Sequence, residues 1–499
     1  MALARLRSRG QRGLDAYEVT VEVHLGGGLP GFTISGLPAA AVRESRDRVR
    51  AALQTCGISM PQRRITAHLG PADIPKEGGR FDLPIALGVI QAEQGLRWQT
   101  DDTELIGELA LSGALRPVRG ALPAVLAARD AGRALILPAA NAAEAALVDG
   151  ARVYAAHHLL GVVEHLNGTR CLKELEHRPY VRTRRADADL GEVRGQPAAK
   201  RALLVAAAGG HNLLMVGPPG SGKSMLAKCL PGLLPPLRPE ELLHVASIAS
   251  VAGSSVAAIG RGERPFRAPH HTASAIALVG GGSRPRPGEI SLAHLGVLFL
   301  DELPEFPRSA LEAMREPLEN GTVTIIRGNH RAEFPAEFQL VGAMNPCPCG
   351  YLGDGSDRCR CSETRVELYR ARLSGPLLDR FDLQVEVARV AFETLMQGGE
   401  ALESEECARR VTRARERQLS RAGTLNARLS NRALREVTPL GREARVLLAR
   451  AADRWRLSAR SCTRVLKVAR TIGDLAGLDP LAANHVAEAI QLRCLDRRL

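Results

Sequence analysis

Residues 217–224 read Gly217-Pro218-Pro219-Gly220-Ser221-Gly222-Lys223-Ser224, directly after the apolar run Leu213-Leu-Met-Val216 and before a helical stretch from Met225. That is a complete phosphate-binding loop in its strand–loop–helix setting. Its glycines let backbone N–H groups turn inward around a β-phosphate, and the following helix directs its positive dipole end at the same anion. Lys223 is expected to reach the β- and γ-phosphates and the Ser224 hydroxyl to ligate Mg²⁺, which makes ATP and Mg²⁺ the expected cofactors. A second apolar run, Val297-Leu-Phe-Leu300, ends in Asp301 and Glu302. Ligands of parallel sheets sit beyond the carboxyl ends of the strands, so both carboxylates are expected at Mg·ATP. Asp301 would hold the metal through water, and Glu302 would orient or deprotonate the attacking water.

Two further polar residues close apolar stretches. Asn345 ends Phe338-Gln-Leu-Val-Gly-Ala-Met344 and either positions the water, senses the γ-phosphate or caps the strand. Arg380, flanked by Asp379 and Asp382, is either an arginine presented to a neighbouring subunit or half of a local ion pair. Cys347, Cys349, Cys359 and Cys361 form two Cys-x-Cys pairs, a donor set that suits tetrahedral Zn²⁺, packed reduced thiols or a redox sensor. Thr322–Phe334 reads as a β-hairpin with its turn at Gly328-Asn329, carrying Arg327, His330 and Arg331 on a tip that is either solvated or against DNA. Arg410, Arg413, Arg417 and Arg421 recur at spacings of three and four and share one helix face, either solvated, intersubunit or against DNA.

These groups need elements to hold them. A chain of 499 residues exceeds one compact core and excludes a single small binding module. The expected fold is multidomain α/β: an α+β domain over 1–175, a linker over 176–189, a mainly parallel α/β core over 190–395 and a helical domain over 396–499. With 45% apolar and 24% charged residues, wholesale disorder is excluded. Aromatics at 3% argue against base-stacking platforms. The net charge of +13 favours polyanionic partners, and residues 401–499, with 21 Lys and Arg against 11 Asp and Glu, carry most of it. Neither a bilayer-length apolar run nor the apolar core of a signal peptide is found, so no membrane partner and a cytoplasmic location are expected. In a reducing compartment the ten cysteines are not a disulfide framework.

Longer strings carry a family resemblance. Arg264-Pro-Phe-Arg-Ala-Pro-His-His-Thr-Ala-Ser, Pro287-Gly-Glu-Ile-Ser-Leu-Ala-His, Leu300-Asp-Glu-Leu-Pro-Glu-Phe and Asn345-Pro-Cys-Pro-Cys-Gly resemble AAA+ ATPases of the magnesium-chelatase-like group, and more closely the YifB/ComM family. Glu22-Val-His-Leu-Gly-Gly-Gly-Leu-Pro extends the likeness to the N-terminus. The resemblance implies that Asn345 is sensor 1, Arg380 a trans-acting arginine finger and Arg460 sensor 2 on a helical lid, with Arg464 the competing choice. It implies rings, usually hexamers, with ATP between subunits, and a hairpin facing the central channel where Arg327, His330 and Arg331 would touch the DNA backbone. In the ComM branch it implies helicase and branch-migration activity during natural transformation. His270 and His271 are left without a role. The first domain resembles the Lon peptidase fold, but Arg80 and Pro123 stand where nucleophile and base belong. Without an activated Ser-Lys pair there is no acyl-enzyme route, so a non-proteolytic role is expected.

The expected function is an ATP-driven ring motor on single-stranded or branched DNA, with magnesium-chelatase-like remodelling of a protein partner as the alternative.

Overall fold

The structure is a computed structural model and describes residues 2–178, 188–282, 285–327, 330–390 and 404–494. Most of the linker expected over 176–189 therefore lies outside the described residues, as does the junction at 395–396. The chain divides into two compact units. One comprises residues 1–181, 238–261 and 331–334, and the other comprises 182–237, 262–330 and 335–499.

The first unit is built on a seven-stranded sheet in the order Gly31–Ser35, Arg64–Gly70, Asp15–Gly26, Ala2–Arg12, Thr103–Leu105, Ala134–Pro138, Val153–Ala156. The strand Asp15–Gly26 alternates as its sequence requires, with Val19, Val21, Val23 and Leu25 buried and their neighbours partly exposed. The helix Asp82–Gln94 is apolar on nearly every face and buries Leu83, Ile85, Leu87, Val89 and Ile90 in the core of this unit. Arg80 is buried in the turn before it and donates to the carbonyl oxygens of Arg9 (3.4 Å) and Arg119. Burial pulls its pKa down to about 10. Pro123 is buried in the first turn of the helix Ala121–Asp130.

The second unit carries a five-stranded sheet in the order Phe266–Arg267, Val297–Leu300, Gln339–Met344, Leu213–Val216, Leu383–Glu386, with each adjacent pair parallel. The three apolar runs picked out in the sequence are its central strands, and all their residues are buried, as a two-sided parallel sheet demands. Helices Pro197–Gly209 and Lys223–Leu233 share one hydrophobic core with Ala459–Ala476 and Ala483–Gln491, so the C-terminal helices pack into the same core as the sheet. No strand occurs among the described residues from 404 onward. The segment 422–438 contains the short helix Asn431–Val437. No described helix is long and apolar enough to cross a membrane.

Candidate nucleotide site

The phosphate loop leaves the central strand Leu213–Val216 and enters the helix Lys223–Leu233. The backbone permits no side chain at Gly217, where a Cβ would meet the Val387 carbonyl oxygen at 2.1 Å. Lys223 Nζ folds back over the loop, donating to the carbonyl oxygens of Gly217 (2.7 Å) and Pro218 (2.9 Å) and to Asn345 Oδ1 (3.3 Å). Burial lowers its pKa from the ordinary lysine value, against the opposing pull of Asp301 and Glu302. Ser221 Oγ is buried in the loop without a partner, a hydroxyl left over for a ligand. Ser224 Oγ donates to Asp301 Oδ2 at 2.6 Å, so two oxygen donors converge beside the ammonium. A glycine-rich loop, an unspent hydroxyl and paired oxygen donors suit a nucleotide phosphate with Mg²⁺.

Glu302 follows Asp301 in a left-handed backbone conformation (φ 52°), and its N–H donates to Asp301 Oδ1 at 2.9 Å. Its carboxylate Oε2 lies 3.1 Å from His271 Nδ1. The imidazole of His270 sits against that of His271, with ring centroids 4.1 Å apart. Neither His271 nor His270 carries a role that residue type and spacing reveal. The signal that could have found His271 is register: Arg267 pairs with Leu298 in parallel strands, so four residues further along each chain His271 and Glu302 emerge together.

Asn345 directly follows the strand Gln339–Met344 at the same edge as Lys223. The structure thus brings together Lys223, Ser224, Asp301, Glu302 and Asn345.

Arg380 is elsewhere. It precedes the strand Leu383–Glu386, whose first residue pairs with Leu213, whereas the phosphate loop follows Val216 at the far end of that pair. Four strand residues at about 3.3 Å each put the two edges on the order of 13 Å apart. Arg380 donates to the Pro376 carbonyl oxygen (2.7 Å) and pairs with Glu319 rather than with the flanking Asp379 or Asp382. Its Nε is buried without an acceptor. It lines a cavity of about 600 Å³ together with Arg460, Arg464 and Lys467. Arg464 is committed there, 2.8 Å from Asp382 Oδ1, while Arg460 is exposed and has no ion-pair partner among the described residues. His211 Nδ1 lies 3.1 Å from the other Asp382 oxygen. Burial alone would raise the Asp382 pKa, but His211, Arg464 and Lys467 hold it below the ordinary carboxylate value.

Of the basic helix face, Arg421 forms a salt bridge to Asp474 at 2.7 Å and Arg417 donates to the Asp474 carbonyl oxygen at 2.9 Å, so half of it is spent inside the unit. Arg413 is exposed. Thr322–Arg327 and His330–Pro335 form the expected two-stranded hairpin, with Arg327 and Arg331 exposed. The turn Gly328-Asn329 and the His330 side chain lie outside the described residues. The sulfurs of Cys347, Cys349, Cys359 and Cys361 come together within 4.8 Å of one another.

Comparison with known proteins agrees with this geometry. The profile described as subunit ChlI of Mg-chelatase matches residues 21–141, magnesium chelatase subunit ChlI matches 189–395, and its C-terminal profile matches 401–493. The competence protein ComM of Haemophilus influenzae is 47% identical over 506 residues, covering 100% of this chain and 99% of its own. The uncharacterized protein YifB of Escherichia coli is 45% identical over 504 residues, covering 100% and 98%. A more distant likeness, 26% over 35% of this chain and 18% of the relative, is to the DNA replication licensing factor Mcm6 of Drosophila melanogaster.

Proposed function

The chain belongs to the YifB/ComM family of magnesium-chelatase-like AAA+ ATPases, and we propose that it is an ATP-hydrolysing ring motor that acts on DNA, as a helicase or branch-migration enzyme in recombination. The observation that carries this reading is the separation of Arg380 from the phosphate loop. An arginine at the opposite edge of the sheet lies away from the phosphate loop of its own chain, which supports a role toward the nucleotide of an adjoining copy.

In this reading Lys223 leaves the Gly217 and Pro218 carbonyls for the β- and γ-phosphates, a short swing because the ammonium already lies over the loop. Ser224 and Asp301 would hold Mg²⁺, which when bound neutralises charge on the phosphate oxygens. Glu302, with His271 fixing its carboxylate, orients the attacking water and takes its proton. Asn345, bonded to Lys223, senses whether a γ-phosphate is present. Arg380 and Arg460 of one copy stabilise the charge developing on the nucleotide of the next, and Arg460 is preferred to Arg464 because Asp382 already holds the latter. The first unit acts in assembly or substrate engagement, since the buried, backbone-bound Arg80 and the buried Pro123 offer no nucleophile or base.

DNA as the substrate is supported by the +13 net charge, by exposed Arg327 and Arg331 on the hairpin, and by the likenesses to ComM and Mcm6. Remodelling of a protein partner is the second reading, favoured by the match of all three profiles to a magnesium chelatase subunit. The test is steady-state ATP hydrolysis at fixed salt with no DNA, single-stranded DNA or a branched junction. Several-fold stimulation, lost when Arg327 and Arg331 are both replaced by Ala and weakened by added salt, is expected of the motor. Hydrolysis indifferent to DNA would move the assignment to protein remodelling.

A further inference from the structure

The four cysteines between Asn345 and the helix Glu363–Arg370 have no part in the chemistry above. Cys347 is buried and the other three are half-buried. Their sulfurs stand 3.4 Å (Cys347–Cys349), 3.8 Å (Cys347–Cys359) and 3.7 Å (Cys349–Cys359) apart. A tetrahedral ion with Zn–S bonds of about 2.3 Å holds its sulfurs about 3.8 Å apart. The pairs are therefore spaced for one shared ion, and too far apart for disulfide bonds, which need about 2.0 Å.

The surroundings are those of a metal knuckle. The intervening loop is closed on itself: Asp354 accepts from the Ser356 N–H (2.9 Å) and pairs with Arg358 (2.6 Å), whose guanidinium lies over the Tyr351 ring. The two Cys-x-Cys arms are thus held face to face by contacts of their own, which lowers the entropy lost on closing a site.

This knuckle abuts the phosphate loop. Gly350, one residue past Cys349, packs so closely on Pro219 that a Cβ there would lie 2.6 Å from the proline Cδ. Two residues before Cys347 is Asn345, whose amide oxygen meets Lys223 Nζ.

We propose that Cys347, Cys349, Cys359 and Cys361 bind one structural zinc ion as a tetrathiolate, and that this ion holds Gly350 on Pro219 and Asn345 on Lys223. Metal binding releases the thiol protons and ties residues 347–361 into a rigid knuckle beside the phosphates. The site claim stands by itself, whereas the coupling rests on the nucleotide-binding reading given above.

Two measurements on the full chain test it. Purified protein passed through metal-free buffer should retain zinc at one equivalent per chain, and Co²⁺ replacing it should give the intense visible bands and thiolate charge transfer of a tetrahedral tetrathiolate. C359S/C361S should lose that equivalent and C171S, an exposed cysteine elsewhere, should keep it. Substoichiometric metal, iron in place of zinc, or a cobalt spectrum of fewer than four sulfurs overturns the site. Because the double variant could misfold, wild-type protein stripped by chelator and reloaded provides the second arm, read by affinity for a fluorescent ATP analogue. At least a tenfold weaker affinity on stripping, restored by Zn²⁺, is expected. Affinity indifferent to zinc overturns the coupling alone. Failure of zinc-loaded protein to bind nucleotide overturns both the coupling and the ATPase reading, while the metal stoichiometry still decides the site.

Discussion

Glu302 occupies a left-handed conformation that non-glycine residues seldom adopt, and such strain persists where surroundings over-determine it. Here the surroundings are Asp301 Oδ1 on its N–H and His271 on its carboxylate. Replacing Glu302 with Gln keeps the shape and removes the proton acceptor. Turnover is expected to fall by about 10²–10⁴-fold while ATP affinity is kept, as read by steady-state hydrolysis beside equilibrium nucleotide binding. Normal turnover in that variant would remove Glu302 from the role. His271 acts through Glu302, so His271→Ala should lower kcat by up to about a hundredfold and leave KM for ATP little changed. A large rise in KM instead would place the imidazole on the nucleotide. That Lys223, Ser224, Asp301 and Glu302 would come together was legible from residue type and spacing. His271 was not, because its partner is 31 positions away and only strand register unites them.

Among elements, the parallel sheet does most of the positioning. Its carboxyl edge gathers the ends of three strands around the loop 217–224, and its amino edge gathers Arg380 and Asp382 with the helix Ala459–Ala476. Asp382 is the joint between sheet and helix, holding Arg464 and His211 at once, and His211 Nε2 in turn lies 2.8 Å from Thr471 Oγ1 on the same helix. Asp382→Ala leaves the half-buried Arg464 and the buried His211 uncompensated and should cost about 3 kcal/mol in denaturant unfolding. The pH dependence follows from the depressed pKa of Asp382. Its contribution is complete above the unfolded carboxylate value of about 3.9 and is lost as pH falls through the lower folded value. Wild type should therefore lose more stability than Asp382→Ala on acidification below about pH 4, and parallel losses would show that the group does not titrate as described. The sequence placed Asp379 and Asp382 on either side of Arg380 but could not tell which carboxylate the arginines of the helix Ala459–Ala476 would claim. The same limit applied to Arg417 and Arg421, whose helical spacing was legible while their commitment to Asp474 was not.

At the scale of the whole molecule, one chain holds the phosphate loop and the arginine cavity at opposite sheet edges, so a finished site requires a second copy in the proposed assembly. Lys223→Ala and Arg380→Ala should each be inactive alone. Mixed, they form some junctions in which an intact Lys223 faces an intact Arg380, and about a quarter of wild-type hydrolysis is expected from random heterologous association. A mixture as inactive as its parts would argue that Arg380 serves only its own chain. The exposed Arg460 should behave as Arg380 does in such mixing, and the Asp382-bound Arg464 should not.

Chemistry confined to one short stretch was determined by the sequence alone: the phosphate loop, the carboxylates closing an apolar strand, and the four cysteines. Local spacing and hydrophobic pattern dictate strand, loop and helix there, because the backbone conformation each needs is set by neighbours in the chain. The three buried strands were readable for the same reason, since a sheet covered on both faces must be apolar throughout. Tertiary structure decided everything that joins distant segments. It brought His271 to Glu302, gave Arg464 rather than Arg460 to Asp382, set Arg380 away from its own phosphate loop, and laid the cysteine knuckle on Pro219. Those pairings depend on strand order and register, and register is the outcome of packing a whole core rather than of any residue's own preference.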